Sequence, residues 1–193
     1  MLFRSQIAAE VPREAVLNEG GIVPVVIEQR HLRNGYEVES WGDYITAIVE
    51  DEDRSRLIAN IAQEQTAPTL VLTDRTAHAE ELAGMIPGAT LLHGGLKKAD
   101  RVAGFDAMET AQVVVGTTNL LGEGLDIKRL SVLILATPQS SRNRLLQSVG
   151  RVIRACDGKE SALVIDIIDS NNFALSSSKK RRVIYNEMGW QLA

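Results

Sequence analysis

The chain has 193 residues, a formal net charge of −4, 45% apolar residues and 4% aromatics, which suits one ordinary domain whose core is Leu, Ile, Val and Ala rather than rings. A globally basic surface is excluded, so any nucleic-acid contact must be local, and the one cysteine, Cys156, excludes an intramolecular disulfide. No apolar run approaches the ~18 residues of a membrane span, and the early charges of MLFRSQIAAEVPRE do not suit a signal peptide, so a soluble cytoplasmic protein is the default expectation.

Residues 1–20 read as a connecting segment, broken by Pro12 and the Gly20-Gly21 pair. Gly21 to Gln29 is predicted as a strand, with Pro24 marking it as an edge. HLRNGYEVESWGDY reads as a loop around the Asn34-Gly35 turn. Asp53 is the expected cap of a helix running to about Gln65, with Leu57, Ile58 and Ile61 on one face. Strands and helices then alternate: strand Thr69–Thr73, helix Thr76–Ile86, strand Ala89–His93, helix Lys97–Met108, strand Gln112–Thr117, strand Ser131–Thr137, helix Ser141–Arg154, strand Ala162–Ile168 and a terminal helix Ser176–Met188. Short apolar strands alternating with helices predict an α/β fold with a mainly parallel sheet covered on both faces. Ligands of such sheets bind in loops at the carboxyl ends of the strands.

In the helix SRNRLLQSVGRVIR, Leu145, Leu146, Val149, Val152 and Ile153 form an apolar stripe. Gln147, Gly150, Arg151 and Arg154 follow i, i+3, i+4, i+7 and are expected on the opposite face. Gly150 in a helix costs roughly 1 kcal/mol against Ala, which makes sense where something approaches the backbone closely. Two guanidiniums a turn apart suit a polyphosphate; a solvated polar face is the plain alternative. The stretch GTTNLLGEGLDIKRL follows a strand and offers backbone N–H groups and hydroxyls to phosphates, with Asp126 able to accept from a ribose; an ordinary β–α connection is the alternative there.

These stretches resemble the C-terminal RecA-like lobe of superfamily 2 helicases and translocases. QSVGRVIR resembles motif VI, VVVGTTNLLGEGLDI motif V, TLVLTDRTAHAEEL motif IV and LLHGGLKKADR the short motif after it, in the family's order. NLLGEGLDI is similar to the matching loop of bacterial excision-repair helicase-like proteins. Gln147 at the head of motif VI resembles DNA-directed members rather than DEAD-box RNA helicases, and phage recombination and restriction proteins share this style. The resemblance implies a RecA-like three-layer domain over residues 21–175, followed by a C-terminal helix over 176–193. It implies Arg154 as an arginine finger beside Arg151, with Gln147 positioning nucleotide or attacking water. Gly124, Asp126 and Gly150 would lie at the nucleotide, and Thr73, Arg75 and Thr117 along the nucleic acid.

ATP and Mg²⁺ are the implied cofactors, held mainly by an N-terminal RecA-like lobe; that lobe and DNA, through a single-strand backbone, are the implied partners. The chain has no G-x-x-x-x-G-K-[ST] loop, and the expectation is that it has no D-E-x-x acidic box to hold Mg²⁺ either. Residues 1–20 are too short for the missing lobe, so the expectation is a fragment or half of a split protein, inactive alone. A non-catalytic module that binds nucleic acid or a partner helicase is the alternative. His93 is expected to be a turn or packing residue, Cys156 incidental, Trp41 and Trp190 packing residues with base stacking the competing role, and Lys179 to Arg182 a solvated helix face or, in competition, a DNA contact. No metal site is expected.

Overall fold

The computed structural model describes residues 21–119 and 127–193. Its strands are β1 (Val25–His31), β2 (Thr69–Thr73), β3 (Thr90–Leu92), β4 (Val113–Thr117), β5 (Val132–Leu135), β6 (Ala162–Ile168) and β7 (Gln191–Leu192); its helices are α1 (Trp41–Glu50), α2 (Glu52–Gln63), α3 (Thr76–Met85), α4 (Lys98–Ala107), α5 (Arg142–Gly150) and α6 (Asn172–Glu187). One sheet runs β3-β4-β2-β5-β6-β1-β7, and every strand pair in it is parallel. The fold is the expected α/β three-layer, RecA-like architecture.

The strands sort their residues by the period of two. Leu70, Leu72, Leu133, Leu135 and Val164 face one layer with Leu145 and Val149 of α5 and Tyr185 of α6. Val71, Ile134, Ile165 and Ile167 face the other with Ile58 and Ala59 of α2 and Leu82 of α3. Burial on both faces explains why these strands are short continuous apolar runs. Among the described residues, no helix is long and apolar enough to cross a membrane.

Outside the candidate site, the structure departs from the sequence reading in five places. β1 is not an edge strand: it pairs with β6 on one side and with the two-residue β7 on the other, and Pro24 precedes it, where its missing N–H costs no ladder bond. The loop assigned to residues 31–44 gives way to α1, capped by Ser40, whose Oγ accepts from the Asp43 N–H. The next helix is capped by Asp51, not Asp53: Asp51 Oδ1 accepts from Arg54 N at 3.0 Å. Asp51-Glu52-Asp53-Arg54 does match D-E-x-x by letter, yet it is a helix start rather than a strand-end metal box.

The fourth departure is the basic run. Arg181 is fully buried, its Nη2 2.8 Å from Asp166 Oδ1 and its Nε donating to Asp166 Oδ2 at 3.0 Å; Tyr185 also donates to Asp166. Burial works against the Arg181 charge, but the Asp166 carboxylate prevails and holds its pKa above the ordinary value. Only Lys179, Lys180 and Arg182 of the run are exposed. The fifth is the terminal segment: α6 starts at Asn172 rather than Ser176, buries Ala174, Ser177 and Ile184, and leads into β7.

Candidate functional site at the carboxyl edge of the sheet

Two buried networks fix this edge. Arg54 of α2 donates from Nε to Asp169 Oδ1 at 3.0 Å and from Nη1 to the Ala136 carbonyl at 2.8 Å. Both charged side chains are fully buried, and Tyr44 of α1 donates to Asp169 Oδ2 at 2.7 Å. The carboxyl ends of β5 and β6 are thereby tied to α1 and α2. Burial, and then the neighbouring Asp169 charge, push the Tyr44 hydroxyl pKa up, so it remains a donor.

The second network runs along the edge. Thr118, past β4, donates to Asp74 Oδ1, past β2, at 2.7 Å. Gln139, past β5, reaches Thr118 Oγ1 with Nε2 at 3.5 Å, and its Oε1 accepts from Ser148 Oγ of α5 at 2.8 Å. The three stretches resembling motifs IV, V and VI are thus joined through side chains.

Thr73 is fully buried and its hydroxyl lies 2.8 Å from His78 Nδ1, so it supports the end of β2. Burial, helped by the Arg54 charge, lowers the His78 pKa to about 4. Arg75 is exposed at the start of α3. Thr117 is 7% exposed at the end of β4. Gly124 and Asp126 lie outside the described residues.

On α5, Gln147 is exposed and Leu145 and Val149 are buried, as the stripe predicts. The helix ends at Gly150, however. Arg151 is its C-cap, its N–H bonds to Ser148 O and Val152 N–H to Val149 O, a tightening of the last turn. The chain then becomes extended: Val23 N–H bonds to Ile153 O and Arg154 bridges antiparallel to Ile22. Arg154 is therefore off the helix, and the i+7 relation to Gln147 fails; the β-branched pair Val152-Ile153 suits the extended course. Arg151 and Arg154 are half-buried, and each has an interaction within the chain. A Cβ on Gly150 would meet nothing within 4 Å, so no part of the described chain demands glycine there.

His93 is the turn residue expected: Nδ1 accepts from Gly95 N–H at 3.1 Å. Cys156 is half-buried, with Sγ 3.5 Å from Lys128 O. Trp190 is buried against Tyr185, whereas Trp41 is 36% exposed.

A polar cleft of about 280 Å³ at this edge is lined by Trp41, Gly42, Asp74, Arg75, Asn119 and Arg144. Sequence reasoning singled out only Arg75 as a ligand contact here. Asn119 stood in the same TTN run as Thr117. Arg144 precedes Gln147 by three residues and Arg151 by seven, a helical-face signal that was legible. In the described part of this edge, the guanidinium, amide and hydroxyl groups suit phosphate oxygens.

Residues 52–156 match the family model described as helicase conserved C-terminal domain. The chain belongs to that family. It is 31% identical over 170 residues to a protein of Sulfolobus islandicus filamentous virus named as a candidate helicase, covering 81% of this chain and 30% of that protein. It is 27% identical over 180 residues to UvrABC system protein B of Staphylococcus haemolyticus, covering 89% of this chain and 25% of that protein. The structure of T4 UvsW superposes with TM-score 0.69 at 19% identity, over 88% of this chain and 40% of that one, a likeness of fold. The helicase domain thus spans between a quarter and a third of the length of these curated relatives.

Proposed function

We propose that this domain is the C-terminal lobe of an ATP-dependent DNA helicase or translocase, holding one wall of a nucleotide cleft and part of a single-strand track. The supporting observation is convergence: Arg75 and Asn119, from two of the motif-like stretches, and Arg144, on the helix that leads into the third, line one cleft at the carboxyl edge. Arg154 acts as the finger, with Arg151 beside it and Gln147 positioning nucleotide or water. Because both arginines are already engaged within the chain, each must exchange that interaction for phosphate oxygens as the lobes close. A nucleotide supplies the phosphoryl group and its developing charge; guanidiniums stabilise that charge. The residues fit one side of ATP only: no loop in the sequence ends in Gly-Lys-Ser/Thr. That same feature favours the second reading, a binding module without turnover.

Fluorescence anisotropy with single-stranded DNA tests the track. The expected result is weak binding that falls steeply between about 50 and 200 mM salt, with Arg75→Ala and Arg144→Ala each flattening the salt slope by about one phosphate. Nanomolar affinity indifferent to salt contradicts it.

A further inference from the structure

We propose that Trp41 is a base-stacking platform, so that the cleft takes a nucleobase as well as a phosphate; this rests on the lobe binding single-stranded nucleic acid. Trp41 is the first residue of α1 and is 36% exposed, although burying an indole is favourable by about 25 cal/mol per Å². It borders three adjoining depressions: the cleft with Arg75 and Arg144, a second with Pro138 and Gln139, and a third with Phe173 and Lys180. Arg75, Arg144 and Lys180 are exposed, while Asp74, among the described residues the one carboxylate lining the cleft, accepts the Thr118 hydroxyl. An apolar ring ringed by cations matches a single strand, whose bases offer π-faces and whose backbone offers charge.

The ring is also pre-positioned. Trp41 meets Tyr44 edge to face, with centroids 5.5 Å apart and planes at 65°. Tyr44 is fully buried and bonded to Asp169, which Arg54 holds in turn. A platform anchored this way loses little freedom when a base lands on it. Next to it, Gly42 has only Ser40 Oγ, 3.6 Å away, near the place of a Cβ, so the floor of the cleft stays open beside the indole.

The test is titration of the full chain with oligothymidylate, read by tryptophan fluorescence and anisotropy. The probes are the plain oligonucleotide and one of equal length made of abasic sites. The account predicts quenching of Trp41 by the plain strand, with little quenching in Trp41→Phe, where buried Trp190 alone reports. Trp41→Ala should weaken binding of the plain strand about 5- to 150-fold, with Trp41→Phe recovering most of it. Both proteins should bind the abasic strand alike, because that strand has nothing to stack. Circular dichroism checks that the variants fold; Trp41→Phe keeps the aromatic contact to Tyr44 and decides the matter by its quenching if Trp41→Ala does not fold. Plain-strand affinity and fluorescence indifferent to Trp41 overturn the platform while leaving the track intact. No binding by the wild-type chain overturns both. An acidic peptide that binds in a Trp41-dependent way, with oligothymidylate failing to compete, assigns the patch to a protein partner and also overturns it.

Discussion

Thr118 Oγ1 donates to Asp74 Oδ1 at 2.7 Å, joining the end of β4 to the end of β2. With Gln139 and Ser148 the bond extends to α5, so displacement of one motif-bearing loop is felt by the others. Coupling of this kind suits the proposed role, in which one side of the lobe meets nucleotide and the other a strand.

Thr118→Val keeps the shape and removes the hydroxyl, leaving the Asp74 carboxylate and the Gln139 amide short of a partner. Urea denaturation should show a loss of about 1–3 kcal/mol, and Thr118→Ser should restore most of it. A valine variant as stable as wild type would mean that solvent replaces the bond at no cost.

His78 gives a pH prediction. Its pKa falls from 6.5 to about 4 on folding, so the unfolded chain binds the proton first. The stabilisation is full above the unfolded value of 6.5 and is lost as the pH falls from there towards 4, at up to about 1.4 kcal/mol per pH unit. Thermal melts across that window should drop more steeply for wild type than for His78→Gln, which does not titrate. Parallel profiles would show that burial does not disfavour the His78 charge.

The periodic parts of the fold were legible in the sequence. β2 and β6 occupy the predicted residues because continuous apolar runs between breakers have few other solutions. What pattern could not supply was tertiary pairing. Arg181 looked solvated amid Lys179, Lys180 and Arg182, and only its carboxylate partner fifteen positions earlier, Asp166, makes it a core residue. Arg154 continued the helical period, but Val23 captures that segment into an extended course through the Ile153 carbonyl. α1 was hidden by the loop-like run before it, so Trp41 had no visible place. On the candidate site, the motif-bearing stretches were found, and Arg144 carried a legible helical-face signal that went unused, whereas Thr118 and Gln139 emerged only once the strand ends were brought together.

Gly150 separates folding from function. A Cβ there meets nothing within 4 Å, so Gly150→Ala should raise the stability of this chain by up to about 1 kcal/mol. If a nucleotide or the other lobe approaches that backbone, the same variant should lower turnover in the two-lobe protein. Gly116→Ala is the contrast: its Cβ would lie 2.9 Å from the Leu92 carbonyl oxygen, so it should destabilise by about 1–3 kcal/mol. Unimpaired turnover in a stabilised Gly150→Ala protein would remove Gly150 from the nucleotide side.

For the finger, Arg154→Ala in the two-lobe protein should lower kcat by about 10²-fold or more while KM for ATP changes little, since the guanidinium acts on charge that develops in the transition state. Near-normal turnover would remove Arg154 from that role.

The most direct measurement is phosphate release by this 193-residue chain with Mg²⁺, ATP and single-stranded DNA, with and without an added N-terminal RecA-like lobe. Hydrolysis requires a phosphate-cradling loop and a metal-binding carboxylate around one nucleotide, and the proposed function gives this sequence only groups that stabilise charge on a nucleotide bound elsewhere. The account predicts no turnover by the chain alone, DNA-stimulated turnover when the other lobe is supplied, and loss of that turnover in the Arg151→Ala/Arg154→Ala double variant. Phosphate release by the purified chain alone that disappears in the same double variant would contradict it, by showing a complete active site in these residues.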